Sequence, residues 1–124
     1  MNNYSSLELM ALSQGLFYFA TGVWPLLSMG TFLKVTGPKV DLWLVKTVGI
    51  LIAVVGAVLF YAGIAGNVTP PIFVLSVSSA ACLTAVDVNY VTKGVIAKIY
   101  LLDAAVEVLL IAGWLVAAWF GEGF

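Results

Sequence analysis

Three acids stand inside long apolar stretches of this chain: Asp87, Asp103 and Glu107. Asp103 and Glu107 are four residues apart, so on a helix they share one face, and Tyr100 and Trp114 extend that face at helical spacing. Carboxyl groups surrounded by hydrocarbon hold a cation, relay a proton, or act as a general acid and base when paired in different protonation states. A charged acid left facing lipid at the bilayer centre costs about 2.5–3.5 kcal/mol on insertion scales. These side chains are therefore expected to turn into a helical bundle. Measured from Val95, Asp103 and Glu107 would lie about 12 and 18 Å along their helix, which puts Glu107 near the bilayer midplane.

Lys46 is the expected counter-charge. It precedes Gly49 by three residues and so shares that glycine's helix face, and it is expected to pair with Asp87 or Asp103. Such a pair close to the membrane border reads first as a device that fixes helix register. Glu107 would then be the least compensated acid and the leading candidate for a site or pathway. Gln14, Tyr18, Thr21, Ser28 and Tyr100 are the candidates to hydrogen-bond these acids. Glu8, Asp41 and Glu122 fall at the ends of the apolar runs, where solvation or helix N-terminal charge accounts for them.

The elements that must carry these residues are membrane-spanning helices. Of 124 residues 63% are hydrophobic and 9% charged, against about 45–50% and about 25% in soluble domains, so the chain cannot clothe its exterior for water. The length suits one domain. Four apolar runs, about 7–33, 41–65, 71–91 and 95–120, each meet the requirement of about 20 residues per crossing. Thr36-Gly37-Pro38, Gly66 to Pro71 and Thr92-Lys93-Gly94 punctuate them. The expected fold is all-α: a polytopic, antiparallel bundle of four transmembrane helices with short loops, formed by residues 1–124. The first run has Glu8 and no basic residue ahead of it, and it is too long for a signal-peptide core, so it reads as a retained helix.

Orientation follows from the lysines. Lys34, Lys39, Lys46, Lys93 and Lys98 all fall at the border shared by the first and third links, and there is no arginine. The positive-inside rule makes that border cytoplasmic and puts both termini outside the cytoplasm, with the bacterial inner membrane as the expected location. Trp43, Tyr90 and Tyr100 near one border and Tyr4, Tyr61, Trp119 and Phe120 near the other fit interfacial belts. Asn67-Val68-Thr69 is formally a glycosylation sequon, read here as a turn because Pro70 follows.

Helices in lipid associate through small residues that let backbones approach. Gly49, Ala53, Gly56 and Gly63 supply such a face on the second run, Gly15 and Gly22 on the first, and Ser76, Ala80 and Thr84 on the third. Pro25 should kink the first helix by freeing the Thr21 carbonyl, which Thr21 and Ser28 hydroxyls are placed to satisfy. Gln14, Tyr18, Thr21, Pro25 and Ser28 form a polar stripe that has to face protein or water.

Several function classes are disfavoured. Histidine is absent and Cys82 is the only cysteine, so no metal site, no cofactor and no internal disulfide is expected; the lone thiol reads as packing. No basic stripe exists for nucleic acid, and no nucleophile elbow, HExxH or phosphate-binding glycine loop is present. The leading expectation is a non-enzymatic membrane protein that binds or moves a small ligand, cation or proton through its buried carboxylates, in contact with membrane lipids and assembled as a homo-oligomer or with a partner membrane protein. An accessory subunit of a membrane complex comes second. A lipid-substrate isomerase or hydrolase using Asp103 and Glu107 comes third, and it requires an apolar cavity beside Glu107.

Overall fold

The computed structural model describes residues 4–120, and all the regular structure among them is helical: α1 (Ser6–Leu27), α2 (Met29–Thr36), α3 (Leu42–Ala65), α4 (Pro70–Thr92) and α5 (Tyr100–Phe120). Glu122 lies outside the described residues. Helices α3, α4 and α5 are each long and apolar enough to cross a membrane, with mean hydropathies of 2.5, 1.7 and 2.0. Helix α1 joins them as a fourth only when it is taken together with α2, and the two are bent by 113°.

The first run is thus two helices with a break between them, not one continuous helix kinked at Pro25. A capping box opens α1: Ser5 Oγ accepts from the Glu8 amide at 3.1 Å, and the Ser5 amide donates to Glu8 Oε1 at 3.0 Å. Pro25 stays within the helix, and the break comes three residues later at Ser28, whose backbone (φ −150°, ψ 80°) has left the helical region. Losing one amide at Pro25 removes a single hydrogen bond, whereas the bend at Ser28 is held by side chains. Thr31 Oγ1 contacts Ser28 Oγ at 2.7 Å, the Trp24 indole donates to Thr31 at 3.0 Å, and the Trp24 and Phe32 rings meet edge to face at 5.3 Å. The Thr21 hydroxyl donates to the Phe17 carbonyl at 2.9 Å, not to the carbonyl that Pro25 freed.

The last run also starts later than its hydropathy suggests. Gly94 takes a left-handed φ of +74°, and the Val95 amide turns back to the Tyr90 carbonyl at 2.9 Å. The chain reaches regular helix only at Tyr100. At the other links the expected punctuation stands: Gly66 ends α3 with φ +71°, and Pro70 and Pro71 occupy the first turn of α4.

Helix α1 is the hub. One of its faces lies backbone to backbone on α3. A methyl group on Gly15 would come within 3 Å of Gly56 and Phe60 backbone, and one on Gly22 would come as close to Gly49 and Ala53. Methyls on Gly49 and Gly56 would in turn strike the Gly22 and Gly15 carbonyls at 2.6 Å. The other face meets α5, and α5 packs along α4. Contact between α3 and α4 is slight. The layout is therefore α3, then α1, then the α4–α5 pair, with Leu7, Ala11, Trp114 and Ala117 forming a small core near the start of α1.

This seam has no room for a side chain. Gly22→Leu is expected to lower unfolding stability in detergent by about 1–3 kcal/mol through overpacking, while Gly30→Ala, in α2 with nothing within 4 Å of its added carbon, does not lower it. Equal curves for both variants would show that the α1–α3 seam is not close-packed.

Candidate functional site

The polar stripe of α1 is divided between two jobs. Its upper part is structural: Gln14, fully buried, donates from Nε2 to the Ser76 carbonyl on α4 at 3.0 Å and accepts from the Trp114 indole on α5 at 2.6 Å. One amide thereby ties three helices together, and Gln14 lies outside the cavity described below. Trp114 is held in addition by an edge-to-face contact with Phe73 at 5.7 Å.

One helical turn further on, Tyr18 reaches the acids. Its hydroxyl donates to Glu107 Oε1 at 2.7 Å, and both side chains are buried, Glu107 being 1% exposed. Beyond this bond, α3 and the α4–α5 pair diverge around α1 and leave a cavity of about 570 Å³. Tyr18 and Glu107 lie on its wall with Asp103, Asp87 and Tyr100. Thr21, Gly22 and Pro25 of α1 and Gly49 of α3 also line it, and most of the remaining lining is aliphatic or aromatic. All five helices contribute.

Asp87 is the singular member of this wall. It is 5% exposed, and its Oδ2 has no hydrogen-bond donor among the described residues. The Asp103 carboxyl interacts with it from the adjoining helix, and Glu107 acts on it through space. By helical rise, Asp103 and Glu107 lie about 4.5 and 10.5 Å into α5, and Asp87 about 7.5 Å from the end of α4. The late start of α5 thus brings Asp103 and Glu107 about 7.5 Å nearer the lysine-bearing end than a helix starting at Val95 would.

Lys46 is not the counter-charge. It is exposed on α3, away from the cavity lining, and makes no ion pair among the described residues. The lysine that does reach the cavity is Lys39, in the link between α2 and α3. Its ammonium donates to Thr36 Oγ1 at 2.8 Å and to the Thr36 and Gly37 carbonyls at 3.3 and 3.1 Å. It also sits 5.1 Å from the Phe32 ring and 5.2 Å from the Tyr100 ring. These contacts engage the charge at the C-terminus of α2, where the helix dipole favours a cation, and none of them is to an acid.

The sequence held a signal for this arrangement in Thr36 and Lys39, three residues apart across the Gly37-Pro38 turn. Trp24 and Phe32, also on the cavity wall, become visible only once the bend at Ser28 folds α2 back. Among the described residues, the acids do not form a three-ligand metal set.

An acid buried with a lone oxygen costs about 1–3 kcal/mol, and more if ionised. Asp87→Leu is therefore expected to raise the melting temperature of the ligand-free protein in detergent, by an amount equivalent to about 1–3 kcal/mol. A lowered melting temperature would mean that Asp87 finds its compensation inside the protein.

Compared with known proteins, the chain matches no family model, no curated sequence and no solved structure.

Proposed function

We propose that this chain is a four-span membrane protein that binds the cationic group of a small ligand at the Asp87–Asp103–Glu107 wall. In this reading the bent pair α1–α2 forms the first crossing and its interfacial extension. The five lysines mark the cytoplasmic border, and both termini lie on the opposite side. The observation that carries the function is the buried Asp87 carboxyl on the cavity wall, whose Oδ2 has no hydrogen-bond donor among the described residues. An ammonium group supplies the donors and the charge that the wall lacks, and the aliphatic lining suits the carbon skeleton behind it.

Binding is the reading because nothing beside the acids does covalent chemistry. The hydroxyl nearest the acids, that of Tyr18, already donates to Glu107. A second reading, a lipid-substrate isomerase or hydrolase with Asp103 and Glu107 as acid and base, draws support from one observation: a mostly apolar cavity does adjoin Glu107. The two readings part over turnover, since a binding protein returns its ligand unchanged.

Titration of the purified protein with hexylammonium is expected to show saturable binding that weakens at least tenfold in Asp87→Asn, equivalent to about 1.4 kcal/mol. Hexanol should not compete. Binding that survives Asp87→Asn, Asp103→Asn and Glu107→Gln unchanged, or that hexanol displaces equally, would remove the carboxylates from the site.

A further inference from the structure

The cavity has two ways in, and they differ in chemistry. Along the bundle axis, at the lysine-bearing end, α2 lies across the opening. The bend at Ser28 places Phe32, Val35 and Thr36 on the cavity wall. Lys39 holds this cover in place by bridging the Phe32 ring of α2 and the Tyr100 ring of α5. The Gly37 turn lies against the link before α5 as well, since a carbon added to Gly37 would sit 3.5 Å from Ala97 Cβ. A cation approaching by this route meets α2 and the like charge of Lys39, and Val35 on this cover is itself 50% exposed.

The other way is lateral. Helix α3 spends its packing on α1, touches α4 only slightly and makes no extensive contact with α5. Leu44 and Val48 of α3 and Leu102 of α5 line the cavity and yet are 43%, 51% and 64% exposed. Leu44, Val48 and Leu102 stand on the two helices that flank the gap, whereas the axial side carries the Lys39 charge. Because α3 and α5 are membrane-spanning in length and composition, this opening faces acyl chains. The residues that flank it, Leu44, Val48 and Leu102, are all apolar.

We infer that ligands reach the carboxylate wall sideways from the bilayer, between α3 and α5. The ligand class is then an amphiphile with a cationic head and an aliphatic or aromatic tail. This inference rests on the binding function proposed above and adds the route and the class. The head pairs with Asp87 and Asp103, at about 7.5 and 4.5 Å from the lysine-side helix ends, a depth at which amphiphile heads already reside close to the interface. The tail occupies the gap beside Val48 and Leu102 and stays in contact with lipid, so entry requires no transfer of hydrocarbon through water.

The experiment uses the full chain in liposomes and a dodecylammonium probe with a photoreactive diazirine at the tail end, with labelled residues mapped by mass spectrometry. Labelling is expected to concentrate on the gap-facing residues of α3 and α5, to fall at least tenfold with excess dodecylammonium, and to stand unchanged with excess dodecanol. It should also fall in Asp87→Asn, a near-isosteric change for which retained folding is checked by the melting curve. Labelling spread evenly over the outer face of α4, or displaced equally by dodecanol, overturns the lateral site. If the water-soluble hexylammonium binds the carboxylates but dodecylammonium does not displace it, the ligand is an aqueous cation, so the route fails while the binding function survives. If neither amine binds, the binding function itself fails.

Discussion

The structure depends on a single constraint: α1, which is not apolar enough to count as a span by itself, must be enclosed on two sides. Toward α3 it offers glycines, and the two backbones touch at Gly15–Gly56 and Gly22–Gly49. Toward the α4–α5 pair it offers Gln14 and Tyr18, each bonded to a partner there. Apolar burial provides little drive for helix association in lipid, so close backbone approach and internal hydrogen bonds have to hold the bundle together. Both are concentrated on this helix. Its lower hydropathy is a consequence, since residues spent inside need not please the acyl chains.

The cavity is the cost of that arrangement. A helix used as a spacer between α3 and α5 keeps them apart wherever it does not itself fill the gap. Above the Tyr18–Glu107 bond the space is filled by Trp114 and its neighbours. Below it, α1 narrows to Gly22 and then turns away at Ser28, and nothing of its own reaches across. The acids of α4 and α5 therefore border a space rather than a packed core, and among the described residues one Asp87 oxygen has no hydrogen-bond donor. Lys39 does not relieve them because α2 holds its charge at the margin. The same bend that shortens α1 supplies the cover over the axial end.

Much of this was readable from residue types. The apolar runs located α3 and α4 to within a residue or so, because lipid imposes length and composition together. The glycine spacing marked which faces meet, and the 14–18–21–25 stripe marked the inward face of α1. Three things escaped. The bend at Ser28 follows from a local web of Ser28, Thr31 and Trp24 that hydropathy cannot register, so a 27-residue apolar run reads as one continuous helix. The late start of α5 comes from the Gly94 turn, which leaves the mostly apolar stretch Val95 to Ile99, interrupted by Lys98, outside the helix and shifts the depth of both α5 acids. Lys46 shares a helix face with Gly49 and so reads as the natural partner, yet a flexible cation near a helix start reaches solvent more cheaply than it reaches a buried acid. The lysine in a turn, Lys39, was the one that folding carried to the site.

The central claim is that the acids face inward onto α1, with Tyr18 as the contact. A double-mutant cycle of Tyr18→Phe and Glu107→Leu, read by reversible unfolding in mixed micelles, tests it most directly. The account predicts a coupling of about 1–2 kcal/mol between the two positions. Effects that add to within about 0.3 kcal/mol would mean that Glu107 does not meet Tyr18, and the carboxylate wall would lose its anchor.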